Sequence, residues 1–246
     1  MSAVTTSEIP DEILFKQPEG NHHGDCPICC LPLSHDPRQS NLMNCCGKLI
    51  CQGCSIANQK REIERRLEPK CPFCRSAVCR TQEEADRLTM KRIEANDPVA
   101  FCHMGLRSYE KGDRTAAFEY WTKATELGNV HAHYELSIMY RDGEGVEKDE
   151  RKELHHTEQA AIGGHPTARH NLGLKEWNIG RVDRAAKHWI IAANLGYDES
   201  LENVKNLYKS FIVTKDDFAA ALRGHHAAIK ATESDQRKEA AAIYKR

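Results

Sequence analysis

Cys26-Pro27-Ile28-Cys29, Cys45-Cys46-Gly47-Lys48, Cys51-Gln52-Gly53-Cys54 and Cys71-Pro72-Phe73-Cys74 lie within one stretch of 49 residues that holds nine of the chain's eleven cysteines. Three of these runs are Cys-x-x-Cys, a spacing that lets two thiolates turn back onto one tetrahedral zinc ion at about 2.3 Å. The pair Cys45-Cys46 brings the paired cysteines to eight, enough for two sites of four sulfurs each. A stretch this short, with few large apolar residues, has little core of its own, so metal-binding free energy becomes its folding free energy.

Beyond Cys74 only Cys79 and Cys102 remain among 246 residues, so the rest of the chain needs an ordinary apolar core. Composition therefore predicts a small metal-built module joined to a larger domain. Clustered Cys-x-x-Cys in a reducing compartment means metal or redox chemistry before disulfides. Four paired positions without a parallel-sheet pattern argue against a thiol-disulfide enzyme. Residues 1–24 carry neither a basic start nor an apolar run before a small-residue cleavage site, and are expected to be a disordered tail rather than a secretory signal. With no run of 18 apolar residues, the expectation is a cytoplasmic or nuclear protein with no membrane partner. The net charge of -1 offers no global field for nucleic acid, which is not an expected partner. Lys60, Arg61, Arg65, Arg66, Lys70 and Arg75 outnumber Glu62, Glu64 and Glu68 locally, but mixed charges at helical spacing read as a solvated helix face.

In order, the ligand candidates run Cys26-x2-Cys29-x15-Cys45-Cys46-x4-Cys51-x2-Cys54-x16-Cys71-x2-Cys74. This resembles the RING-type zinc finger. The resemblance implies two zinc ions held in an interleaved cross-brace, Cys26, Cys29, Cys51 and Cys54 on one and Cys45, Cys46, Cys71 and Cys74 on the other. Filled coordination makes such zinc structural, and no residue of the chain is expected to be catalytic. The family's second pair is usually a cysteine, one residue, then a histidine; here Lys48 takes the histidine's place, and a protonated lysine cannot ligate. Cys45 is expected to supply the missing sulfur, with Cys30 and His35 as the alternatives. Cys30, Cys79 and Cys102 otherwise read as small apolar residues, and His22 and His23 as an exposed part of the tail.

The same resemblance implies a docking surface for a ubiquitin-conjugating enzyme. Ile28 would give an apolar contact, Pro72 a rigid second-loop proline, and Arg75 the linchpin arginine whose planar fork bonds both the enzyme and its ubiquitin. The helix expected over Ser55 to Leu67 lacks the tryptophan many active members carry, with Ile56 and Ile63 as the nearby apolar replacements. The expected function is a RING-type ubiquitin-protein ligase without a covalent nucleophile. The alternative, favoured by Lys48 and the missing tryptophan, is a zinc-stabilised interaction scaffold without transferase activity.

After Cys79, Thr81 followed by Glu84 is a capping box that predicts a helix from about Gln82 to Ala95, packed on the domain C-terminal to it. A repeat then begins. Asn96, Gly128, Gly164 and Gly196 are spaced by 32, 36 and 32 residues, with Ala100, Ala132, Ala168 and Ser200 four places on and Met104, Leu136, Leu172 and Val204 four further. Such a period marks a solenoid of helix pairs. Left-handed stops suit the glycines and Asn96, Pro98 and Pro166 open the next helix, and Asp113 and Asp183 are expected N-caps. Gly105 and Gly173 are expected to let paired helices approach closely.

The run from Tyr134 to Val146, with Gly143-Glu144-Gly145-Val146, resembles Sel-one-like repeats, relatives of tetratricopeptide repeats. That resemblance implies an adaptor surface for a protein or peptide ligand. A fourth, degenerate unit runs from Asp198 to about Lys230, with Thr214 and Asp217 starting its second helix. Trp121, Trp177, Trp189, Tyr134 and Tyr140 read as core, and His155-His156 and His225-His226 as surface. The fold class is mainly α: a tail to 24, a RING-type module over 25–79, a capping helix over 80–96, the solenoid over 97–231 and a charged helical tail over 232–246.

Overall fold

The computed structural model describes residues 8–244. In chain order its helices are α1 (Asp11–Leu14), α2 (Gln52–Glu64), α3 (Gln82–Glu94), α4 (Pro98–Glu110), α5 (Arg114–Glu126), α6 (Val130–Asp142), α7 (Glu150–Ile162), α8 (Pro166–Asn178), α9 (Val182–Asn194), α10 (Asp198–Lys209), α11 (Lys215–Ala231) and α12 (Asp235–Tyr244). Strands β1 (Ser40–Leu42) and β2 (Leu49–Cys51) pair antiparallel, with Ser40 opposite Cys51 and Asn41 opposite Ile50. The described residues divide into two units, one of residues 8–22 together with Cys102–Ala228, the other of His23–Phe101 with residues 229–244. No helix among the described residues is long and apolar enough to cross a membrane.

In the cysteine-rich unit one apolar cluster gathers Cys26, Leu33, Ile50, Cys51 and Cys54, edged by Cys29, Met43 and Leu49. Its central helix α2 starts at Gln52, three residues before the expected Ser55, because Cys51 Sγ accepts the Cys54 amide at 3.4 Å and acts as the cap. The helix α3, expected to pack on the repeats, belongs to this unit. Its Arg92 donates to Asp97 at 2.9 Å and to the Asn44 carbonyl at 3.4 Å. Thr81 caps α3 as expected, accepting the Glu84 amide at 3.2 Å, while the Glu84 carboxylate goes to the Arg80 amide instead of closing the box. The C-terminal segment, expected to be a charged helical tail, is helical as α12 and packs on α2. Gly53 makes that approach possible, since a Cβ there would lie 2.9 Å from the Arg237 backbone nitrogen.

In the other unit, helices α5 to α10 each pack on the next in sequence, as stacked helix pairs must if each is to bury its apolar face. The repeat's stops have the expected backbone, with φ of 82° at Gly128, 86° at Gly164 and 88° at Gly196. Asp113 caps α5 through the Ala116 amide at 3.0 Å. Asp183 does not cap: α9 begins one residue earlier, placing it in the first turn. Trp121 and Trp189 occupy equivalent core positions. A Cβ on Gly105 would lie 2.5 Å from the first indole and one on Gly173 2.4 Å from the second. The indole nitrogens donate to the carbonyls of Cys102 and His170 at 3.1 and 3.3 Å.

The degenerate fourth pair is still a pair. Val204, Leu207, Val213 and Ala221 share a core with Ala185, Ala186 and Trp189, and Thr214 caps the Asp217 amide at 3.1 Å.

Several side chains depart from expectation. Trp177, near the end of α8, leans on Trp189 at 5.9 Å between ring centroids and is otherwise exposed. Each histidine pair splits as helix geometry demands: His156 turns inward to His133 at 2.9 Å and His225 to Asp198 at 2.8 Å, while His155 and His226 face out. His22 is half-buried and stacks on His165, centroids 4.2 Å apart. From residue 8 to His22 the expected tail lies on this unit, anchored by Leu14, which is only 1% exposed among Ala160, Ala161, Ala168 and Leu172. Ile9 and Phe15 pack beside it and Asp11 pairs with Arg184, so several contacts together hold the segment.

Candidate metal centre

Each Cys-x-x-Cys at the ends of the module is a closed knuckle. Cys26 N donates to the Leu31 carbonyl at 2.9 Å and Cys30 N to Cys26 O at 2.9 Å. Matching bonds join Cys71 to Ser76 at 2.8 Å and Arg75 to Cys71 at 3.0 Å. Bridges Asp25 to Pro32 and Lys70 to Ala77 seal the two loops. Cys30 and Arg75 hold the equivalent left-handed position after the second cysteine, at φ of 55° and 63°. The middle ligands come from the β hairpin and the start of α2. Between the strands, the Cys46 and Gly47 amides donate back to the Met43 carbonyl at 3.2 and 2.7 Å, so that both Cys45 and Cys46 turn to one side. Glu62, assigned from sequence to a solvated face, is buried and accepts the Lys70 amide at 3.1 Å, while Asn58 donates to the Lys70 carbonyl at 3.1 Å. This ties α2 to the residue that leads into Cys71.

Two tetrads result: Cys26, Cys29, Cys51 and Cys54, and Cys45, Cys46, Cys71 and Cys74, with the sulfurs of each set within 4.8 Å of one another. Cys29 and Cys51 sulfurs are 3.8 Å apart, Cys46 and Cys71 3.8 Å, and Cys45 and Cys74 3.4 Å. Sulfurs at tetrahedral corners about 2.3 Å from one ion stand about 3.8 Å apart, so the donor sets fit a thiolate-loving ion. Burial and crowding divide the thiols of each set. Burial, then Cys74 and Cys71, push the Cys45 thiol up, and burial with Cys51 does the same to Cys54. Burial also opposes ionisation of Cys29 and Cys74, but hydrogen bonds from Leu31 and Arg237 hold the first down to about 7, and Ser76 holds the second down to about 6. Four thiolates this close need a cation between them, and the protein is positioned to hold one in each tetrad. Cys30 and His35 belong to neither set.

One further contributor carries no sequence signature. Arg237 on α12 donates to Cys29 Sγ at 3.4 Å and to the Leu31 carbonyl at 3.1 Å. Nothing in the local pattern of a charged C-terminal helix signals a partner two hundred residues away.

Around the second knuckle, Pro72, Met43, Asn58, Gln59, Ile63 and Leu67 line part of a groove of about 330 Å³. Ile28 is 41% exposed, Arg75 is exposed, and Lys48 sits over the Phe73 ring with its nitrogen 5.7 Å from the centroid. Cys102 is buried, whereas Cys30 is exposed and Cys79 half-buried, so only Cys102 fully behaves as a small apolar residue.

Residues 100–129, 130–165 and 168–197 match the model of the Sel1 repeat. The crystal structure of a Sel1 repeat protein from Oxalobacter formigenes is similar at a TM-score of 0.51 and 27% identity, covering 63% of this chain and 66% of that one. A protective antigen of uropathogenic Escherichia coli with an SLR fold gives a TM-score of 0.47 and 23% identity over 68% of this chain and 36% of its own. DAP3-binding cell death enhancer 1 of Rattus norvegicus is 31% identical over 67 residues, which is 27% of this chain and 13% of that protein. The chain spans less than two thirds of each of these relatives.

Proposed function

We propose that this chain, a solenoid of Sel1 repeats joined to a module with two cysteine tetrads, is a zinc-dependent RING-type ubiquitin-protein ligase. The observation that carries the reading is the order of the ligands: first and third pairs in one tetrad, second and fourth in the other. Zinc would supply shape alone, fixing the two knuckles against α2. The chain's residues would then act by position. Ile28 and Pro72 offer apolar contact to a ubiquitin-conjugating enzyme, and the groove along Asn58, Gln59 and Ile63 accepts its loop. Arg75, exposed at the tip of the second knuckle, can bond two carbonyls at once and hold the enzyme's ubiquitin thioester in a reactive conformer. The acyl transfer stays between the enzyme's cysteine and the acceptor amine. The repeats would select the acceptor by binding a protein or peptide.

Discharge of ubiquitin from a panel of charged conjugating enzymes tests this. Arg75→Ala and Ile28→Ala are expected to slow discharge at least tenfold with metal content unchanged. Undiminished discharge by Arg75→Ala removes that residue's role. No discharge and no binding across the panel, with two ions bound, selects the second reading, an interaction scaffold that transfers nothing. That reading is favoured by Lys48 lying on Phe73 in place of a ligand and by the absence of tryptophan from α2.

A further inference from the structure

The segment from Ile9 to His22 lies on α7, α8 and α9 as a bound peptide would. Leu14 fills a pocket of Ala160, Ala161, Ala168 and Leu172. Phe15 rests against His188, centroids 4.6 Å apart, under the cations of Arg184 at 4.8 Å and Lys187 at 5.2 Å. Asp11 pairs with Arg184, Gln17 accepts from Asn194 at 3.1 Å, and the His22 amide donates to the Gly164 carbonyl at 3.1 Å. Arg169, fully buried in α8, donates to the Leu14 carbonyl and to the Ala161 carbonyl at 2.8 Å.

Two features separate this from ordinary core. Arg169 is a buried cation held by backbone carbonyls, with no carboxylate of the described residues neutralising it, an expensive choice for a permanent interior. It suits a place where a backbone carbonyl is held whatever side chain accompanies it. The segment itself buries one residue fully: Asp11, Glu12, Ile13, Lys16 and Gln17 are exposed or partly so, and Phe15 is only half-buried. So small a buried area allows exchange.

We infer that the face of α7, α8 and α9 is a peptide groove for partner segments of the pattern acidic-x-x-Leu-aromatic, and that Asp11, Leu14 and Phe15 occupy it as an internal competitor. Arg184 reads the acidic position, the alanine pocket the leucine, and the His188, Arg184 and Lys187 cluster the aromatic ring. Arg169 takes the carbonyl between them. This rests on the solenoid being the half of the chain that binds partners.

The test uses the full chain and a fluorescein-labelled synthetic peptide spanning residues 8–22. By fluorescence anisotropy the peptide is expected to bind the Leu14→Asp chain at least tenfold more tightly than the wild type. Should that variant melt, Phe15→Ala, which removes only a half-exposed ring, gives the same comparison. Adding Arg184→Glu is expected to abolish binding of this peptide and restore it for one carrying Asp11→Lys. A displayed random library selected on the opened chain is expected to enrich acidic-x-x-Leu-aromatic. Equal affinity for wild-type and opened chains, or no effect of the charge swap, overturns the assignment. A partner protein that bound both chains equally at another face would overturn the groove yet leave the solenoid as a scaffold.

Discussion

Arg237 Nη2 lies 3.4 Å from the sulfur of Cys29, although 208 residues of chain separate them. Four thiolates around a divalent ion leave two excess negative charges, and a guanidinium bonded to one of them disperses part of that charge. Outer contacts of this type commonly change metal affinity by about 10–100-fold. Arg237→Ala is therefore expected to speed loss of metal from the Cys26 tetrad by about tenfold or more in a chelator competition, with loss from the Cys45 tetrad unchanged. Equal rates at both would show the contact to be incidental.

Which cysteines serve is a separate question from how tightly they hold. Cys45→Ser is expected to cost the chain one bound ion, since its sulfur stands 3.4 Å from that of Cys74. Cys30→Ser and His35→Ala are expected to retain both, and either losing an ion would reverse the assignment.

Within the repeats, Gly173→Ala places a methyl 2.4 Å from Trp189 Nε1 and forces the indole off the His170 carbonyl. Overpacking of this kind costs about 1–3 kcal/mol. Gly105→Ala should do the same to Trp121. Thermal melting followed by tryptophan fluorescence reads this directly, because all three tryptophans lie in the solenoid. A shift of about 2–4 °C per kcal/mol is expected; an unchanged midpoint contradicts the close packing.

His188 is 1% exposed, and burial, with Arg169 and Arg184 nearby, lowers its pKa to about 3. Unfolded, it would titrate near the ordinary histidine value of about 6.5. Between those values the unfolded chain binds a proton that the folded chain refuses, so stability is full above about pH 6.5 and falls as pH drops toward 3. Burial likewise lowers His133 and His156 to about 4, adding to the same slope. From about pH 7 to about pH 5, His188 alone should cost about 2 kcal/mol. His188→Met is expected to flatten the tryptophan-detected acid slope, and an unaltered slope would place the proton uptake elsewhere.

How legible these features were depended on the range over which each is specified. Period, glycine stops, proline starts and the Thr81 cap are local devices, and they marked the ends of α3, the starts of α4, α5 and α8, and the stops at Gly128, Gly164 and Gly196. Eight paired cysteines were legible from their spacing, and their division into these two tetrads from what the resemblance to the RING-type finger implies. By contrast Arg92, Arg237 and Arg169 act on residues 48, 208 and 155 positions away, and nothing near them in sequence marks the target. Leu14 was hidden for the same reason: Ile13, Leu14 and Phe15 form an apolar run too short to carry a periodicity. Trp177 shows the converse limit, since helical spacing places a residue on a face without saying whether a neighbour covers it.

Native mass spectrometry of the purified, reduced full chain bears most directly on the two tetrads. Two divalent ions per chain are expected, with one lost on changing Cys45 and both lost, together with the folded shape of the amino-terminal module, on treatment with a strong chelator. A chain that carries no more than one ion with all eight thiols free, or whose module keeps its shape once stripped, would contradict a fold built on metal.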